Sequence, residues 1–176
     1  MVRTGSSHAP ELLAPAGNRE ALQAALLAGA DAVYLAGRAF GARAGAENFD
    51  PAGLAWARRV TRRLDRRLYV AVNTLVLEDE WAALEDHLDL LAALEVDAVI
   101  VQDLGVLSTL RRRGHGLPAH LSTQAAWDGA GGAAALTDLG VTRVVLPRET
   151  PLDEIRHLAR QGPFELEVFI HGAHCY

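Results

Sequence analysis

The sequence holds no lysine: all 17 of its basic residues are arginine. It holds one cysteine, Cys175, so an internal disulfide is excluded and a reducing cytoplasm is the compartment that fits. Aromatic residues make up only 6% of the chain, which leaves aliphatic side chains to build the core. No apolar run approaches the ~20 residues that a membrane-spanning helix needs. The opening stretch, residues 1–8, lacks the apolar centre of a secretory signal, and residues 1–9 read as a short disordered lead. Positive charge is also in deficit. Seventeen basic against 22 acidic residues give a net charge of -5, which excludes a generically basic nucleic-acid binder. Arg58, Arg59, Arg62, Arg63, Arg66 and Arg67 do form a stripe at helical spacing. Its two readings are a solvated outer helix face and an RNA-facing patch, the first being the commoner outcome.

What is present is a regular alternation of short apolar runs and longer amphipathic ones. Strands are expected at residues 11–16, 32–36, 68–74, 98–102, 119–124, 143–147 and 166–171. Most are continuous apolar runs such as Ala98-Val99-Ile100-Val101, the pattern of parallel strands covered on both faces. The helices between them show recognisable starts. Asn18 caps the first, which ends at Gly29 and turns Leu22, Ala25 and Leu26 inward; Asp50 or Pro51 opens the second. Trp81, Leu84, Leu88 and Leu91 line one face of the third. Thr150-Pro151-Leu152-Asp153 opens the sixth with a hydroxyl cap and a proline in the first turn.

Seven strands alternating with six helices point to an α/β fold. The expected form is a TIM-type (β/α) barrel, incomplete, with its last unit missing, over residues 10–176. The competing doubly wound sheet lacks its Gly-x-Gly-x-x-Gly turn after the first strand. An unclosed barrel leaves two sheet edges exposed, so a second copy or a completing chain is an expected partner.

In such barrels the chemistry gathers at the C-terminal ends of the strands. The candidate site residues read from those ends are Asn73, Gln102, Asp103, Gln124, Arg148, Glu149 and His171. Asp103 has a helix cap as its alternative role, Arg148-Glu149 a local ion pair, and His120, within a strand, a core position. Ser122 lacks a nucleophile-elbow pattern, and no His-Glu-x-x-His stands anywhere in the chain. His171 and His174, three apart and followed by Cys175, are compatible with metal binding, yet a soft-metal or cluster site needs three or four ligands.

Several segments together resemble peptidase family U32, the collagenase-like proteases. They are Glu11-Leu12-Leu13-Ala14-Pro15-Ala16-Gly17, Gly29-Ala30-Asp31-Ala32-Val33-Tyr34, Val72-Asn73-Thr74-Leu75, Val101-Gln102-Asp103-Leu104-Gly105, Leu121-Ser122-Thr123-Gln124 and Arg143-Val144-Val145-Leu146-Pro147-Arg148-Glu149. The most specific is Glu167-Val168-Phe169-Ile170-His171-Gly172-Ala173-His174-Cys175, similar to the family signature but with His174 where an aliphatic residue is usual. The resemblance implies the N-terminal barrel of a longer protein, truncated at that signature. It also implies a 4Fe-4S cluster in intact members, with Cys175 as a ligand and the further cysteines absent here; this chain alone is expected to bind none. The implied activity is iron-sulfur-dependent 5-hydroxylation of pyrimidines in tRNA or 23S rRNA, since the closest likeness is to the RNA-hydroxylating branch. The alternatives are a collagenase-like peptidase acting on protein and an inactive fragment or subunit that needs a partner chain.

Overall fold

The computed structural model describes residues 9–42, 47–127, 129 and 131–172. The lead expected at residues 1–9 lies outside them except for exposed Ala9, and so do His174 and Cys175. Seven strands form a single parallel sheet in the order of the chain: β1 (Leu13–Pro15), β2 (Ala32–Ala36), β3 (Arg67–Val72), β4 (Ala98–Val101), β5 (Ala119–Leu121), β6 (Val141–Val145) and β7 (Glu165–Glu167). Six helices alternate with them: α1 (Arg19–Leu27), α2 (Pro51–Arg63), α3 (Trp81–Ala93), α4 (Leu104–Arg113), α5 (Ala133–Asp138) and α6 (Leu152–Gln161). The sheet curls into an incomplete TIM-type barrel, as expected.

Period-two alternation along each strand divides the interior from the helical layer. Val33, Leu35, Leu68, Val70, Val72, Val99, Val101 and Leu121 point outward and pack against Leu22, Leu54, Leu84, Leu88, Leu91 and Leu107 of the helices. Ala32, Tyr69, Ala98 and Ile100 point inward, with Leu13 and Tyr34 against them. Burial is complete in the middle of the sheet, where every residue of β4 is buried, and falls away toward β1 and β7. Beside those edge strands, Leu12, Val168 and Ile170 stand exposed, Ile170 by 83%. The two unpaired edges mark where a closed barrel would place its eighth unit.

Helix starts follow the cap chemistry. The Asn18 side chain accepts from the Ala21 amide at 2.9 Å, and Asp50 accepts from Gly53 at 2.7 Å with Pro51 at the first helical position. Three expectations need correction. Thr150 does not cap α6: its hydroxyl donates to the Pro147 carbonyl at 2.8 Å, and Pro151 holds the cap position without a side-chain bond. The fifth strand ends at Leu121, because Ser122 starts a 3-10 turn over Thr123–Ala125. The seventh ends at Glu167, whose carbonyl accepts the last ladder bond, from Leu146 at 2.9 Å. Beyond it the apolar residues 168–170 look like strand in sequence but have no neighbouring strand to pair with.

Four of the six arginines of the stripe are held in ion pairs, and Arg66 and Arg67 lie beyond the end of α2. Arg58, only 9% exposed, donates to Asp97 at 2.6 Å; Arg62 pairs with Glu95, Arg66 with Asp31 and Arg67 with Glu11. Those four charges are thereby spent within the fold, which leaves less of the stripe for phosphate. Among the described residues, no helix is long and apolar enough to cross a membrane.

Candidate functional site

The barrel interior has a filled floor and a hollow mouth. At the mouth the inward positions of β2 and β3 are Ala36 and Ala71, where a packed barrel would place branched side chains. Those small residues leave two adjoining hollows of about 800 and 430 Å³, open mouth included. The larger is lined by Tyr34, Asn73, Ser122, Gln124, Glu167 and Phe169 among others; Ala16, Gly17 and Asn48 extend the smaller.

A hydrogen-bond chain across the mouth fixes the amides. Asn73 Oδ1 accepts the Ala42 amide at 3.1 Å, so its Nδ2 is the group that donates to Gln124 Oε1, at 2.7 Å. The Gln124 carbonyl is thereby engaged, and its NH2 group is the end left to a ligand. The Asn73 backbone amide also donates to the Phe40 carbonyl at 2.9 Å. The residue thus ties the β2–α2 loop to the barrel twice, while Phe49 bridges back to Gly37. Phe40 itself sits at φ 63°, the left-handed region. Ser122, buried, accepts the Gln124 amide at 3.2 Å.

The floor is a charged cluster. Arg143, 7% exposed, donates to Glu11 at 2.7 Å, to Glu165 at 2.7 and 3.1 Å, and to Glu167 at 3.5 Å. Arg67 donates to Glu11 at 2.8 Å, and the Tyr69 hydroxyl donates to both Glu11 oxygens. Two arginines therefore face three carboxylates. Burial opposes the charge on Arg143, but its bonds to Glu11 and Glu165 outweigh this and hold it firmly protonated. Burial pushes Tyr69 up to about 12 and raises Glu167 above the usual carboxylate range, with Arg143 opposing and Glu11 adding to that rise. His120 meets the Tyr69 ring edge-on at 4.7 Å. Burial, with Arg143 and Arg67 nearby, takes it down to about 3, and its Nδ1 finds no partner. It is a core histidine, but not a fully satisfied one.

Of the sequence candidates, Asn73 and Gln124 meet in the cavity wall. Arg148 lies beside it, its guanidinium 3.8 Å over the Phe169 ring and 3.4 Å from the Gly172 carbonyl. Asp103 caps α4, accepting from Gly105 at 2.7 Å, and its second oxygen accepts the Val76 amide at 3.1 Å. Gln102, Glu149 and His171 are not among the cavity's lining residues; Gln102 is half-buried at the end of β4, and the other two are exposed. Sequence reasoning missed Tyr34, Glu167 and Phe169 as cavity residues. The available signal was polar residues two apart along one inward face: His120 on β5 with Ser122 just past its end, and Glu167 two residues after Glu165 on β7.

The family profile of Peptidase family U32 matches residues 17–176. The chain belongs to peptidase family U32. It is 38% identical over 166 residues to the tRNA hydroxylation protein P1 of Bacillus subtilis, covering 94% of this chain and 39% of that protein. To the 23S rRNA 5-hydroxycytidine synthase of Escherichia coli it is 38% identical over 175 residues, 98% of this chain and 26% of that one. The chain thus spans well under half the length of either relative. Among solved structures, the U32 peptidase Mk0906 superimposes with a TM-score of 0.76 at 18% identity, over 93% of this chain and 70% of that chain. That likeness shows the shared barrel.

The cluster implied for intact U32 members needs several thiolates. The sequence offers one, at Cys175, outside the described residues, and no described group of three or more His, Cys, Asp or Glu is placed to hold a metal. These residues do not make a complete cluster site.

Proposed function

We propose that this chain supplies the barrel of an RNA pyrimidine hydroxylation enzyme acting on tRNA or 23S rRNA, and that the cavity at the barrel mouth receives the target base. The observation that carries this reading is the match to two RNA-hydroxylating relatives along almost the whole chain, joined to an open cavity lined by aromatic and amide side chains. A base inside a duplex or loop is reached by extruding it into such a pocket. Tyr34 and Phe169 offer aromatic walls, and Gln124 offers a hydrogen-bond donor. Arg148, stacked on Phe169 at the rim, is placed to meet the flanking phosphate.

Peptide hydrolysis is the weaker reading. Ser122, just past the end of β5, lies two residues beyond His120, but a histidine that releases its proton down to about pH 3 is a poor base at neutrality. The test is a strain lacking the gene. Its tRNA and 23S rRNA, digested to nucleosides and separated by liquid chromatography–mass spectrometry, should lack a 5-hydroxypyrimidine present in the parent. Restoring the wild-type gene, but not one carrying Gln124→Ala, should return it. Unchanged nucleoside content in the deletion strain would overturn the proposal.

A further inference from the structure

The floor cluster has one carboxyl group in excess. Arg143 and Arg67 are engaged by Glu11 and Glu165 at 2.7–2.8 Å, whereas Glu167 stands 3.5 Å from Arg143. Of the three carboxyl groups, Glu167 alone lines the cavity. Its side chain is 20% exposed, so a charge there would be poorly hydrated and would rest on the long contact to Arg143 alone. The surplus carboxyl is thus the one that a ligand meets, on the wall shared with Gln124.

We propose that Glu167 reads the polar edge of the extruded pyrimidine as a neutral carboxylic acid, presenting one donor and one acceptor side by side. This rests on the reading of the cavity as a base pocket and names the residue that recognises the base. A neutral carboxyl pairs bidentately with either pyrimidine. Its O–H donates to N3 of cytosine or O4 of uracil, and its C=O accepts from the cytosine amino group or uracil N3–H. A carboxylate lacks the donor. The Gln124 NH2 group adds a second donor on the same wall. The raised proton affinity of Glu167 agrees with the neutral form.

Other groups around Glu167 do not mimic this behaviour. Arg143 from β6 and Arg67 from β3 stay charged, Tyr69 is pushed up to about 12 and His120 down to about 3. Glu11, ahead of β1, and Glu165, on β7, are held by the two arginines.

The experiment uses the full-length protein and a fluorescently labelled hexauridylate, with an abasic ribose-phosphate oligomer of equal length as control. Binding is measured by anisotropy from pH 4 to pH 8, a range that starts below the ordinary glutamate value. The wild type should prefer hexauridylate, and that preference should weaken as pH rises. Glu167→Gln, an isosteric donor–acceptor pair, should keep the preference and lose the pH dependence. Glu167→Ala should lower affinity for hexauridylate about tenfold or more at low pH, with no effect on the abasic oligomer. If Glu167→Gln binds as weakly as Glu167→Ala, the group acts as a carboxylate and the proposal fails. If both variants match the wild type while the preference for bases persists, the cavity reading stands and Glu167 is no reader. Equal binding of both oligomers by the wild type would overturn the base pocket itself.

Discussion

His120 allows a quantitative test of the floor. The imidazole is buried, faces Arg143 and Arg67, and takes up a proton only near pH 3, against an unfolded-state value of 6.5. The unfolded chain therefore binds a proton between those limits that the folded chain refuses. Stability from this group is fully present above about pH 6.5 and is lost as pH falls toward 3. Linkage with those two values gives a loss of about 2 kcal/mol at pH 5 and about 3 kcal/mol at pH 4, relative to pH 7.5. His120→Phe retains an aromatic ring beside Tyr69 and removes the titration. Urea unfolding followed by circular dichroism at pH 7.5, 5 and 4 isolates the effect as the difference between wild type and variant, because the carboxylates titrate in both. That difference should move in favour of the variant by the amounts above. A difference that stays within about 0.5 kcal/mol from pH 7.5 to 4 would refute the burial argument, since His120 would then protonate freely in the folded state.

Arg143→Met should cost about 3–5 kcal/mol in the same assay, because Glu11 and Glu167, both largely buried, lose that cation. Adding Glu11→Gln to it should restore part of that loss, which a double-mutant cycle will show. Glu167→Gln should be at least as stable as wild type at pH 7 and equal to it below about pH 4. A carboxyl with raised proton affinity destabilises the folded state once it ionises, and the amide removes that cost. Asn73→Ala frees the Ala42 amide and the Gln124 carbonyl, so amide exchange in residues 37–42 should accelerate with little change in the core strands. Gly41→Ala should destabilise by about 1–3 kcal/mol in thermal melts, because its Cβ would lie 2.5 Å from that of Ala36.

The barrel was legible because its strands are buried on both faces. Ala98–Val101 is apolar at every position, and such runs separated by capped helices leave few alternatives. Legibility ended where tertiary partners decide the outcome. Residues 168–170 carry strand-forming side chains, but β7 is an edge and the chain leaves it after Glu167. Thr150 and Pro151 have the composition of a helix start, yet the hydroxyl is spent on the turn before it. The site was half legible: strand ends named Asn73 and Gln124, because amides at those positions face the mouth in any such barrel. Asp103 shared that address and serves as a cap, which its carboxylate does equally well. Glu167 and Arg143 stood in the family-like segments but not among the site candidates, because charged residues inside strands look like exposed alternation until curvature of the sheet turns that face inward.

That curvature also explains why floor and mouth differ so sharply within one strand. On β3 the inward series runs Tyr69, Ala71, Asn73: a large polar ring, a small gap, then an amide. β5 repeats the polar ends with His120 and Ser122, and β7 with Glu165 and Glu167. The lower residues interlock through Arg143 and so seal the floor with charge rather than aliphatic bulk, at a desolvation cost that an apolar floor would avoid. A cost of that kind is retained where the charges do more than pack. Glu167, the one acidic residue among the described residues that line the cavity, also belongs to that cluster: burial raises its proton affinity, Arg143 opposes the rise and Glu11 adds to it. Substitutions at Arg143 or Glu11 should therefore reach the ligand through Glu167 without either residue touching it.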